Sequence, residues 1–445
     1  MRKLFDDYKE SAVTFDQIIP EIKEHFKTHQ DSTNALMDGL DWLLINRDLN
    51  GRVRLIAPES AAKDENSLVT INLMAKSLSN KLEAHGYPAE SVLLFETERE
   101  TACDGATVFP LEGFPKIWFV DRLATEGDWA SIAEESRGAP RIVFFSIKGG
   151  VGRSTALAAS AWSLAQAGKR VLVLDLDLES PDLSTALLPS DRQPMYGITD
   201  WLVEDLVDNT SVVFESMVAM STLSYDGEIH VVPAHGSDPG EYISKLGRVW
   251  MPKLNKDGSR ENWSTRLQRL INDLEARVKP DVILIDSRAG IDEVAASCVT
   301  DLGAKLVLLF ALDGSQTWSG YRILFNHWLR MGVAEEIRER LQIVAAMVPE
   351  IDRVEYMDGL RDAAYDLFAD ALYDEVPAGK LLSSAWNFDA ADDSAPHAPW
   401  QVKWHRSFAA LRSLHGRLEG IDSQEIDAVF GDLIAGIKAE LGVPS

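Results

Sequence analysis

A glycine-rich octapeptide, Lys148 to Thr155, carries the residue types that bind phosphate groups. Three glycines in KGGVGRST allow backbone N–H groups to converge on one point. The hydroxyl of Ser154, near the end of the loop, is a ligand of the kind that Mg²⁺ prefers. The spacing therefore predicts a site for a polyphosphate. The predicted binding residues are Lys148, Gly149, Gly150, Val151, Gly152, Arg153, Ser154 and Thr155.

The segments on both sides of this loop predict how it is held. Residues 142–147 form an apolar run of β-branched and aromatic side chains, with the length of a buried strand. Residues 155–168 are rich in Ala and Leu and predict a helix that stops at Gly168. A strand, a glycine loop and a helix in this order point the positive end of the helix dipole at a bound anion.

Three aspartates follow two other predicted strands. Asp175 and Asp177 lie at the end of the run RVLVLD, and Asp286 ends the run DVILID. The carboxyl ends of parallel strands are where α/β folds bind ligands. One such aspartate alone is as typical of a strand-end cap as of a site. Two at these spacings, after a glycine loop, favour a site that holds a metal ion and a nucleotide.

The loop at 148–155, the Asp-x-Asp at 175–177 and the DSRAG at 286–290 occur in the order of the MinD/ParA family. The chain resembles the KGGVGR variant branch of these deviant Walker A P-loop ATPases. The resemblance covers about residues 139–350. It implies ATP and Mg²⁺ as cofactors and a nucleotide-dependent homodimer that signals to a protein partner. It is also the source of the expected adenine specificity.

The resemblance assigns roles to individual residues. Ser154 and Asp286 are expected to hold Mg²⁺, and Asp175 is expected to support the metal. Asp177 is expected to orient the attacking water. Lys148 is expected to reach the phosphates bound by the partner subunit. Lys148, Asp177 and Asp286 are thus the predicted catalytic residues.

Two positions depart from the family pattern. Arg288 stands where MinD-like proteins have a proline, and Arg153 replaces the lysine that precedes the Ser/Thr pair. Arginine is planar, forked and bulkier than lysine, so it either clamps phosphate in two contacts or swings out of the loop. Two functions therefore stay open: an ATP-hydrolysing switch, or a nucleotide-binding module with little or no turnover.

Composition and residue counts bear on the other functional classes that this sequence could belong to. The net charge is −26, and residues 1–138 carry 15 Lys and Arg against 25 Asp and Glu, which argues against a broad grip on nucleic acid. This weakens a DNA-partitioning role without excluding a local basic patch. No tyrosine follows Tyr373, unlike the tail of bacterial tyrosine kinases. Cys103 and Cys298 are too few for an iron–sulfur reductase or a disulfide framework, and they favour a cytoplasmic location. Neither a signal peptide nor a membrane span is expected.

The pattern of strands and helices predicts an α/β chain of two domains. Residues 139–445 are expected to form the P-loop ATPase domain, with a doubly wound, mostly parallel sheet. Residues 1–138 are expected to form a smaller α/β domain that regulates the ATPase or binds its partner. Within it, a helix is predicted from about Asn34 to Arg47. Residues 386–405 are aromatic and predicted to be an irregular loop.

Overall fold

The computed structural model describes residues 13–123, 127–223, 226–375, 385–409 and 414–443. The chain forms two compact units, residues 1–128 and 129–445. The sequence placed the boundary at residue 138, ten residues later. The segment just after 128 associates with the second unit, because the backbone N–H of Ala133 donates to Thr300 (2.8 Å) and that of Ser136 to Gly303 (2.9 Å). None of the described helices has the length and apolar character that crossing a membrane requires.

The first unit is built on a mixed five-stranded sheet. Its strand order is β3-β2-β1-β5-β4, with β1–β5 and β2–β3 parallel and the other two pairs antiparallel. The strands are β1 (Leu43–Arg47), β2 (Val53–Pro58), β3 (Leu93–Glu96), β4 (Thr107–Leu111) and β5 (Phe114–Asp121). The helices are α1 (Ile18–Thr28), α2 (Gln30–Asp38), α3 (Glu59–Lys63), α4 (Glu65–Leu82) and α5 (Arg99–Cys103).

The helix predicted from Asn34 to Arg47 is wrong in its second half. Helix α2 ends at Asp38, and residues 43–47 form strand β1, the central strand of the sheet. All five residues of β1 are buried. The strand pairs on one side with β2 and on the other with β5, so tertiary pairing determines the conformation of a buried run that could also belong to a helix.

The second unit contains an eight-stranded sheet of order β15-β14-β13-β6-β12-β7-β9-β8. Every neighbouring pair is parallel except β8 with β9, which confirms the expected mostly parallel sheet. The strands of the second unit, including a separate hairpin β10–β11, are β6 (Arg141–Ser146), β7 (Arg170–Asp175), β8 (Ala219–Met220), β9 (Glu228–Val232), β10 (Lys253–Leu254), β11 (Arg260–Glu261), β12 (Val282–Ala289), β13 (Leu306–Ala311), β14 (Leu341–Val348) and β15 (Trp400–Lys403).

Helices cover both faces of this sheet. Phe144 and Phe145, neighbours on β6, belong to two different cores, because successive side chains of a strand point to opposite faces. The helices of the second unit are α6 (Arg153–Gln166), α7 (Leu183–Leu187), α8 (Ile198–Asp205), α9 (Thr210–Phe214), α10 (Tyr242–Val249), α11 (Trp263–Val278), α12 (Glu293–Ala296), α13 (Ser315–Met331), α14 (Ala334–Ile337), α15 (Arg353–Ala371), α16 (Arg406–Ala409), α17 (Leu414–Glu419) and α18 (Ser423–Glu440). Helices α6 and α18 share one face, while α11 and α13 pack on the other.

The predicted loop at 386–405 is irregular only in part. Residues 400–403 form β15, the edge strand of the large sheet, and pair with β14 in parallel. Helix α18 covers this edge, and a Cβ on its Gly436 would lie 2.6 Å from the indole of Trp400. The glycine therefore permits a close approach of helix and strand. Before this strand in the chain, the rings of Trp386 and His397 pack against the ring of Tyr373.

Candidate functional site

The glycine loop joins the end of β6 to the start of α6. Gly150 and Gly152 have φ angles of +74° and +80°, a backbone region that favours glycine. A Cβ on either residue would meet nothing within 4 Å, so the requirement for glycine here is conformational. Lys148, Gly149 and Gly150 are exposed. The loop thus presents its backbone to solvent at the N-terminus of a helix of 14 residues.

The predicted aspartates meet beside this loop. Strands β7 and β12 are parallel neighbours, and their last paired residues are Asp175 and Asp286. Both side chains are buried, while Asp177 is partly exposed. Because parallel strands end at one edge of the sheet, two chain segments more than 100 residues apart bring their carboxylates together.

Burial dominates the electrostatics of these carboxylates. The pKa of Asp175 is raised well above its usual value, first by burial and then by repulsion from Asp286 and Asp177. Burial also raises the pKa of Asp177, against the attraction of Arg153. One oxygen of Asp175, Oδ2, is buried without a hydrogen-bond partner. The cluster therefore has spare acceptor capacity and excess negative charge, and both favour a bound cation.

The side chain of Arg153 lies among these carboxylates and is buried, at 7% exposed. Its Nε donates to Asp286 Oδ1 at 2.7 Å, its Nη1 to Ser146 Oγ at 3.0 Å, and its Nη2 to Asp177 Oδ2 at 3.3 Å. The guanidinium is thus held below the loop, by the ends of β6 and β12 and the segment after β7. From the sequence, the side chain of Arg153 was expected to contact phosphate or to swing out of the loop, and its contacts with the carboxylates were not predicted.

A cleft that the sequence did not reveal opens beside the loop. A cavity of about 60 Å³ is lined by Thr155 of α6, by Met347 of β14 and by residues 402–405 and 408. It adjoins a wider cleft of about 510 Å³, which reaches Arg353. Met347 has a φ angle of +51°, and the pairing of β14 with β15 is irregular at this point. The exposed side chain of Trp404, at 43%, lines both spaces.

The side chains at the site could also hold a metal ion together with a bound phosphate. Among the residues that the structure describes, no group of three or more His, Cys, Asp or Glu is arranged to hold a metal alone. A Mg²⁺ ion bound mainly through phosphate oxygens needs only one or two protein ligands. Partly buried Ser154, on the first turn of α6, and the carboxylates of β7 and β12 fit that requirement.

Residues 142–422 match the family of CobQ/CobB/MinD/ParA nucleotide binding domains, CbiA. The chain belongs to this family. The resemblance to the MinD/ParA type is thereby confirmed. No curated protein matches the chain.

Several solved structures are similar to this member of the family. MinD from Aquifex aeolicus is 17% identical and has a TM-score of 0.42, over 69% of this chain and 99% of that one. MinD from Pyrococcus horikoshii, complexed with Mg-ADP, is 19% identical with a TM-score of 0.40, over 68% and 98%. The pNOB8 ParA bound to nonspecific DNA is 18% identical with a TM-score of 0.42, over 68% and 97%.

Proposed function

We propose that the chain binds ATP with Mg²⁺ at residues 148–155 and uses hydrolysis as a molecular switch. The observation that carries this proposal is the meeting of three features at one sheet edge: the glycine loop, the N-terminus of α6 and the carboxylates of β7 and β12. Phosphoryl transfer requires mainly positioning and stabilisation of charge on the phosphate oxygens. Backbone N–H groups, a helix dipole and a metal-binding carboxylate supply these effects.

The residues divide the work as follows in this proposal. Ser154 and Asp286 hold Mg²⁺, which, when bound, neutralises charge on the phosphate oxygens. Asp175 supports the metal from its buried position beside Asp286. Asp177, the most exposed carboxylate of the three, orients the attacking water. Backbone N–H groups of the loop hold the phosphates, and Thr155 contacts the α-phosphate.

A second candidate function is nucleotide binding with little or no turnover, and the position of Arg153 favours it. Its guanidinium bonds to Asp286 and Asp177, the same carboxylates that hydrolysis would use. While they are paired with Arg153, these carboxylates are less available to bind the metal and to orient the water. Nucleotide binding would have to release them from the arginine before hydrolysis. The two candidates share the binding step and differ only in turnover.

The nucleotide base is proposed to lie in the cleft beside Thr155. This space borders the loop, is lined by apolar and aromatic groups and exposes the indole of Trp404. Aromatic faces stack on bases without selecting one of them. Adenine specificity therefore still rests on the family resemblance.

Calorimetry with Mg-ATP, followed by measurement of phosphate release, tests the proposal. Asp177→Ala is expected to keep the affinity and to lower turnover about a hundredfold. The matched control is Asp370→Ala on α15, whose exposed carboxylate pairs with Arg322 away from the loop. Binding without turnover in the wild type selects the second candidate. Absence of Mg-ATP binding contradicts both.

The proposed function also includes a homodimer and a protein partner. Lys148 is exposed on the loop, in a position to contact a second subunit. We propose that ATP favours a homodimer through this residue and that residues 1–138 bind an unidentified protein partner. Removal of residues 1–128, the first compact unit, is expected to abolish capture of that partner and to leave Mg-ATP binding intact.

A further inference from the structure

Arg288 forms ion pairs with two segments of the site, one after strand β7 and one after strand β12. It is the third residue of the run Asp286-Ser287-Arg288, on the irregular end of β12. Its Nη2 lies 2.5 Å from Glu179 Oε2 and its Nη1 lies 3.2 Å from Asp292 Oδ2. Glu179 belongs to the segment that follows β7 and carries Asp177. The guanidinium therefore joins residues 176–182, the first loop, to residues 287–292, the end of β12 and the turn after it, which we call the second loop.

The second loop is held in place by hydrogen bonds to β6 and to helix α12. The N–H of Gly290 donates to Ser146 at the end of β6 (2.9 Å), and the carboxylate of Asp292 caps helix α12 by accepting from Ala295 N (2.9 Å). The carboxylate of Asp292 thus contacts both helix α12 and the guanidinium of Arg288. The arginine is anchored on this loop and extends from it.

The first loop is tied mainly at its inner residues: Leu176 N donates to the carbonyl of Asp286 at 3.0 Å, and Asp177 Oδ2 accepts from Arg153 Nη2 at 3.3 Å. Tyr242 donates its hydroxyl to the carbonyl of Leu178 at 2.6 Å, and Ser180 N donates to Asp177 Oδ1 at 3.3 Å. Glu179 and Ser180 are exposed. The ion pair with Arg288 thus holds the outer part of a loop whose inner residue is Asp177.

We propose that Arg288 is a positioning residue that acts on Asp177 through Glu179. It holds the outer part of the first loop against the second loop, and so supports the orientation of the Asp177 carboxylate that Arg153 and Ser180 contact directly. Half-exposed ion pairs contribute modestly, so the expected role is to order a loop and not to stabilise the fold. The catalytic part of this inference rests on the proposed function; the loop-ordering part does not.

Amide hydrogen exchange of the free full-length protein tests the ordering directly. Arg288→Ala and Glu179→Gln are each expected to raise exchange over residues 176–182 by about three- to fivefold. The double variant is expected to match either single one, because the two side chains form one contact. Arg322→Ala is the matched control, since it removes a similar exposed pair between α13 and α15. Unchanged exchange, or effects that simply add, overturns the proposal.

Turnover tests the consequence for Asp177. Both single variants are expected to lower kcat for ATP about three- to fivefold with unchanged nucleotide affinity and melting temperature, and Arg288→Lys is expected to recover part of kcat. A loss of affinity in place of kcat contradicts positioning through Asp177. If the wild type does not hydrolyse ATP, the turnover part of the proposed function fails, and hydrogen exchange still decides whether Arg288 orders the loop.

Discussion

At the scale of single residues, the position of Arg153 is the main departure from what its place in the loop suggests. A guanidinium offers donors in three directions, and here they reach Ser146, Asp177 and Asp286. A lysine ammonium is a compact point charge without this planar fork. The arginine thus suits a role as the internal cation of the carboxylate cluster. The sequence identified Arg153 and the carboxylates but not this contact, because it depends on where three separate strands end.

Arg153→Ala is expected to destabilise the second unit by about 3 kcal/mol in the absence of nucleotide and metal. The reason is that Asp286, 1% exposed, would stay buried without its cation. Urea denaturation followed by tryptophan fluorescence measures this loss. Adding Asp286→Asn to the same variant is expected to restore part of the stability, since a neutral amide needs no cation. Equal stability of Arg153→Ala and wild type contradicts the buried pairing.

Ser154→Ala is expected to weaken Mg-ATP binding about tenfold and to leave metal-free ATP binding almost unchanged, since the hydroxyl is proposed to be a ligand of the metal. Calorimetry with and without EDTA separates the two affinities. Ser160→Ala is the control: the same substitution on the same helix, where the hydroxyl bonds only to the carbonyl of Ala156 (2.8 Å). Identical Mg-ATP affinity in Ser154→Ala and wild type rules out the assigned role.

At the scale of elements, the sequence predicts well where apolar runs are long and bounded by glycine or charge. Strands β6, β7 and β12 are found where such runs occur; β7 ends at Asp175, and β12 continues to Ala289, three residues beyond Asp286. It fails for β1, whose five buried residues show no alternation and whose strand state depends on pairing with β2 and β5. It also fails for β15, because its four residues alternate between apolar and polar but form too short a run to stand out from the irregular segment before them. The cleft beside the loop escaped prediction for the same reason, since β15 forms one of its walls.

The cleft formed by the ends of β14 and β15 yields a prediction about the base. Trp404→Ala is expected to lower ATP affinity about tenfold, because the base loses an aromatic face. Inorganic tripolyphosphate, which has no base, is expected to bind wild type and variant equally and serves as the control. Competition against a fluorescent nucleotide measures both ligands. An equal loss for both ligands shows damage to the loop itself, and no loss for either places the base elsewhere.

At the scale of the whole molecule, we propose that Lys148 connects the nucleotide site to assembly. In this proposal the loop's N–H groups and the dipole of α6 hold the subunit's own phosphates, so a basic side chain before the paired glycines is not needed there. Lys148 is exposed, whereas Arg153 is buried among carboxylates. The exposed lysine is therefore the charge that remains free to contact the phosphates of a neighbouring subunit.

A ligand that contacts both subunits shifts the association equilibrium by mass action. We therefore expect a dimer in ATP or a slowly hydrolysed analogue, and mostly monomer in ADP or without nucleotide. Lys148→Ala is expected to weaken this dependence more than it weakens nucleotide binding, while Lys256→Ala, at a lysine that is 92% exposed, is expected to match wild type. Size exclusion with light scattering gives the mass in each state. One mass under all nucleotide conditions contradicts the proposed assembly, and a dimer that persists in Lys148→Ala with ATP assigns the contact to other residues.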